Sequence, residues 1–142
     1  MIKNRFSEIE AKKWRASAST DAADQELAER VYTSRLIGSD RDLLMHGGGN
    51  TSVKVQRENL FGEQKNVLHV KGSGWDLDTI QAAGLPGLWL DALRELQQLD
   101  ALSDEDMVNL QRANLLDCGS PNPSVETLLH AFLPHRYVDS VR

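Results

Sequence analysis

Cysteine is nearly absent: Cys118 stands alone among 142 residues. A single thiol excludes an intrachain disulfide and a cysteine zinc cage, and it suits a reducing, cytoplasmic setting. Long apolar runs are missing too. The longest, at residues 85–90, is broken by Pro86 and Gly87 and falls far short of the ~20 residues that span a bilayer, so no membrane role is expected. The opening residues 1–14 carry charges but no apolar stretch of the kind a secretory signal needs. Positive charge is in the minority, with 16 Lys and Arg against 21 Asp and Glu, which argues against a nucleic-acid partner. Apolar residues still make up 40% of the chain, too many for disorder and enough for one core at this length.

Residues 1–20 hold a basic cluster (Lys3, Arg5, Lys12, Lys13, Arg15) and then small polar residues, and read as a flexible lead-in to a domain at 21–142. A helix is expected over residues 21–37, with Asp21, Asp24 and Glu26 at its positive end, an apolar stripe at Leu27, Val31 and Tyr32, and Gly38 as its stop. A polar turn at 40–50 leads into alternating strands at 50–56 and 66–71, joined through a hairpin containing Gly62. Residues 87–91 suit a short buried strand, and 90–99 have helical spacing. Ser103 with Asp106 marks a capped helix to about Leu116. Asn122 and Pro123 then look like the cap and first residue of a helix over 123–133. Its stripe of Val125, Leu128, Leu129, Phe132 and Leu133 would form a buried face, with Pro134 as its stop and a strand from Tyr137 onward. Helices mixed with hairpin-linked strands indicate a layered α/β domain with a partly antiparallel sheet.

Three loops carry possible chemistry. His46-Gly47-Gly48-Gly49-Asn50-Thr51-Ser52 enters a strand with three glycines whose amides can approach an anion. It is neither a Walker loop nor a dinucleotide fingerprint, and the G-x-S-x-G elbow of an esterase is missing. Lys71-Gly72-Ser73-Gly74 follows the next strand and offers amides, a hydroxyl and an ammonium. Pro123-Ser124-Val125-Glu126 opens the last expected helix. A tight turn, or an acidic first turn, would explain each of these singly. The histidines at 69, 130 and 135 form no H-E-x-x-H pair or complete ligand set, and packed or surface roles suit them individually.

In combination, G-G-G-N-T-S at 47–52, K-G-S-G at 71–74 and P-S-V-E-T-L-L-H-A-F-L-P-H at 123–135 resemble the class II aldolase/adducin family. The resemblance is nearest to the aldolase part of bifunctional rhamnulose-1-phosphate aldolase/alcohol dehydrogenase proteins. It implies a three-layer α/β/α domain, here C-terminally truncated. It also implies cleavage of a ketose 1-phosphate to dihydroxyacetone phosphate and an aldehyde. By the same resemblance, Asn50, Ser52, Ser73, Gly74 and Ser124 bind the phosphate and Glu126 moves the proton. The partner implied is a small sugar phosphate, and the association it allows is a homo-oligomer.

The sequence also departs from the family's pattern. Relatives often have a second serine before the glutamate, where this chain has Val125. Complete members use zinc as a Lewis acid, held by two histidines at alternate positions of the strand after this helix and a third further on. Ser140 and Arg142 occupy the first two of these places, so no cofactor is expected in this chain. The expectation is an aldolase-like piece with its phosphate loops and its glutamate but without its zinc site, inactive alone. A non-catalytic, adducin-like interaction protein is the alternative.

Overall fold

The computed structural model describes residues 6–40 and 49–141. The helices are α1 (Glu8–Ser17), α2 (Ala22–Gly38), α3 (Leu90–Arg94), α4 (Asp104–Ala113) and α5 (Thr127–Phe132). The strands are β1 (Gly49–Glu58), β2 (Gln64–Val70), β3 (Gly87–Trp89) and β4 (Tyr137–Val141). They form one antiparallel sheet in the order β3-β2-β1-β4. Alternation along the strands divides the core in two. Val53, Val55 and Val67 face Ala23, Leu27 and Val31 of α2, whereas Leu68, Val70 and Leu88 face Leu90 and Leu93 of α3 and Ala131 of α5. Helices therefore cover both faces, giving the three-layer α/β/α arrangement of the sequence reading. Among the described residues no helix is long and apolar enough to cross a membrane.

Most expected elements appear within a few residues of their places. Asp21 caps α2, its carboxylate accepting from the amides of Ala23 and Asp24. The β1–β2 hairpin turns at Gly62, whose φ of 79° lies in the left-handed region. Ser103 caps α4 by accepting from Asp106 N.

Two expectations need correction. Part of the supposed flexible lead-in is α1, a capped helix that packs on α2. Ser7 Oγ accepts from Glu10 N, Ala11 is buried, Trp14 stacks on Tyr32 at 6.2 Å, and Arg15 pairs with Glu29 at 2.6 Å. Basic composition concealed an ordinary amphipathic contact, because the residues that anchor it are one alanine and one tryptophan. The second correction concerns the last helix, which begins at Thr127 rather than Pro123. Residues 122–124 are occupied in pairing with the loop after β2. Ser73 N donates to Asn122 O at 2.8 Å, Ser124 N donates to Lys71 O at 3.1 Å, and Gly72 bridges Pro123. The expected apolar face is consequently not buried as a unit. Val125 is 77% and Leu129 51% exposed, and the buried side of α5 is Thr127, His130 and Ala131.

Candidate functional site

The register of β1 against β4 explains how the polar residues meet. Asn50 lies directly across from Ser140 and Ser52 from Val138. Asn50, Ser52 and Ser140 thus share the sheet face that α5 covers. On α5 and its cap, Glu126 and His130 are separated by one turn; Glu126 reaches down to Asn50 and Ser140, and His130 to Ser52 and Ser140. Asn50 Nδ2 donates to Glu126 Oε2 at 2.8 Å, and Ser140 Oγ donates to the same oxygen at 2.5 Å. His130 Nδ1 lies 2.6 Å from Ser52 Oγ, and its Nε2 lies 2.9 Å from Ser140 Oγ. Burial pushes the His130 ring below the usual histidine range. Glu126 opposes this, Lys54 and Arg30 reinforce it, and Asp139 opposes it.

A second cluster lies where the loop after β2 meets the segment before α5. The pairing described above sets Lys71 and Ser73 against Asn122 and Ser124, bringing together two of the three loops singled out in the sequence. Ser73 and Gly74 are exposed. Ser124 Oγ accepts from Glu126 N at 3.2 Å, and Ser124 O accepts from both the amide and the hydroxyl of Thr127. Half-burial lowers the Lys71 pKa from the usual lysine value, with Asp76 opposing. Its Nζ reaches Gly72 O at 3.4 Å. Of the first loop, His46, Gly47 and Gly48 lie outside the described residues, and Gly49 opens β1.

The sequence-derived site residues therefore separate into two groups. Asn50 and Glu126 touch, and Ser73, Gly74 and Ser124 belong to the paired loops. Ser52, expected to bind the phosphate, is fully buried with its hydroxyl on His130 and lies apart from the paired loops. Sequence reasoning missed His130 as a member of the site and valued Ser140 only as an absent ligand. The signal available was the four-residue spacing from Glu126 to His130, which puts both on one side of a helix. Arg30 was also missed. It is 4% exposed and reaches from α2 to the backbone oxygens of Ser52 (2.9 Å) and Val138 (3.0 Å) and to the Asp139 carboxylate.

Among the described residues, no three His, Cys, Asp or Glu side chains converge as a metal would require. His130 has both ring nitrogens engaged by serine hydroxyls.

A four-stranded antiparallel sheet covered by helices on both faces is the architecture of a class II aldolase-type domain. The chain belongs to the family described as the class II aldolase and adducin N-terminal domain, whose model matches residues 28–139. It is 49% identical over 111 residues to the uncharacterized oxidoreductase YuxG of Bacillus subtilis (strain 168), a match covering 78% of this chain and 16% of that protein. The N-terminal class II aldolase domain of a conserved protein from Thermoplasma acidophilum superposes with a TM-score of 0.81 at 39% identity. That match covers 99% of this chain and 60% of the other. The chain thus spans about a sixth of the curated relative's length.

Proposed function

We propose that this chain is a portion of a sugar-phosphate aldolase of the rhamnulose 1-phosphate type, one that binds the phosphate end of its ligand but does not cleave it. In this reading Lys71, Ser73, Gly74 and Ser124 hold the anion. Asn50 orients Glu126, the group that would carry a proton, and Ser140 replaces a zinc ligand. The observation supporting it is the pairing of residues 71–73 with residues 122–124, which joins donors from two distant loops at one place. The Ser73 and Ser124 hydroxyls and the Lys71 ammonium suit a phosphate, because each can present a hydrogen to it. The amides of Gly72, Ser73 and Ser124 are spent on carbonyls, those of Ser73 and Ser124 holding the two loops together. Without a Lewis acid worth several kcal/mol, carbon–carbon cleavage falls by about a thousandfold or more, since ~1.4 kcal/mol is a decade in rate. Binding survives that loss.

Calorimetric titration with inorganic phosphate and with dihydroxyacetone phosphate tests the reading. Weak saturable binding is expected, at least tenfold poorer in Lys71→Met and Ser73→Asp. Ser73 is exposed, so its variant disturbs the anion loop and not the core. Asn50→Asp is expected to abolish binding, because it sets a second carboxylate against Glu126. Absence of binding at millimolar ligand, or equal binding by the variants, overturns the reading and leaves the adducin-like interaction protein in its place.

A further inference from the structure

Four side chains from three separate elements form an unbroken hydrogen-bonded series from Ser52 through His130 and Ser140 to Glu126. The direction of each bond follows from counting hydrogens. A carboxylate only accepts, so Ser140 spends its one hydroxyl hydrogen on Glu126 Oε2. Ser140 Oγ must then accept from His130, which puts a hydrogen on Nε2. A neutral imidazole with Nε2–H has a bare Nδ1, and Ser52 therefore donates to Nδ1. One histidine tautomer satisfies the whole series.

We infer that His130 and Ser140 are positioning residues for the Glu126 carboxylate, with His130 locked as its Nε2–H tautomer between two serine hydroxyls. The arrangement holds and does not conduct. His130 and Ser52 are both 0% exposed, so the far end of the series opens to no solvent from which a proton could arrive. Asn50 supplies the second bond to the same carboxylate oxygen, and Oε2 is thereby fixed from two strands. Burial suppresses the basicity of the ring, which agrees with a neutral His130. Ser140 thus has a role of its own beyond the absence of a ligand. The functional weight of this inference rests on Glu126 being the proton-carrying group, but the tautomer does not.

Long-range 1H–15N correlation of the histidine rings in the labelled chain reads the tautomer directly, with His130→Gln assigning the signals. The wild type is expected to show the Nε2–H form in more than about tenfold excess, as oriented bonds on both nitrogens require. Ser140→Ala should bring the excess down to about threefold or less, and Ser140→Thr should restore it. An Nδ1–H form in the wild type overturns the inference without need of any variant. So does an unchanged ratio in Ser140→Ala. Phosphate titration is a separate readout, so failure of ligand binding with the Nε2–H form intact would reject the proposed function and leave the positioning role standing.

Discussion

Acidification from pH 7 to pH 5 is expected to remove about 2 kcal/mol of stability through His69 alone. His69 lies on β2 against α2, 7% exposed, with Nδ1 2.7 Å from Leu85 O and Nε2 accepting from Arg57 Nε at 3.1 Å. The carbonyl fixes Nδ1 as the protonated nitrogen, so a second proton would have to enter opposite a guanidinium. Burial, with Arg57 adding to it, pulls the pKa from 6.5 to about 4, while the Leu85 carbonyl and Asp24 oppose. The folded value lies below the unfolded one, so the unfolded chain binds more protons between them. Stability is complete above the unfolded value and declines as pH falls toward the folded one. A gap of about 2.5 units at ~1.4 kcal/mol per unit limits the total to about 3 kcal/mol, of which about 2 is reached by pH 5. Urea denaturation at the two pH values reads this as a midpoint lowered by roughly 1 M. His130 titrates in the same direction, so the decisive comparison is with His69→Gln, which keeps a donor and an acceptor but no proton to gain. Its pH-dependent loss should be smaller by about 2 kcal/mol. An identical loss in that variant, or a His69 resonance titrating near its ordinary value, refutes the reasoning.

Arg30→Met leaves the oxygens of Ser52 and Val138 without their charged donor and should cost about 3 kcal/mol, with β4 amides losing hydrogen-exchange protection first. Gly38→Ala places a methyl 2.3 Å from Asp78 N, against backbone that cannot yield. A loss of about 3 kcal/mol in thermal melts is expected, and an unchanged Tm would contradict the packing of α2 on residues 77–79. Untagged protein dialysed against zinc should retain no stoichiometric metal. One zinc per chain, lost in His130→Ala, would reverse the assignment of Ser140. Among the described residues no strand pairs with the outer side of β4, and Tyr137 on it is 48% exposed. Light scattering across a dilution series should therefore show self-association, and a stable monomer at all concentrations would count against an open edge.

Legibility in the sequence followed the range of the interactions. The hairpin was readable because alternation and Gly62 act over a few residues, and α2 because its cap and stripe are local. The start of α5 was not. Asn122 and Pro123 have the propensities of a helix cap, but a strand-like pairing with residues 71–73 overrode them, and no local pattern reports a partner fifty residues away. Alternation similarly placed Ser52 on a definite face without indicating that His130 would cover it. Glu126 and Asn50 came from motif resemblance, and their direct contact came only from the β1–β4 register.

That same separation bears on the order in which the molecule assembles. Asn50 and Glu126 are 76 residues apart and Arg30 and Val138 are 108 apart, whereas the β1–β2 hairpin closes locally. Closing large loops before any contact compensates is slow, so helix α2 and the hairpin are expected to form first and β4 to dock late. The carboxylate and its partners come together only with that docking. Most of the hydrophobic core can therefore be in place before Asn50, Glu126, His130 and Ser140 meet, so this polar cluster is a late product of folding and contributes nothing to its early steps.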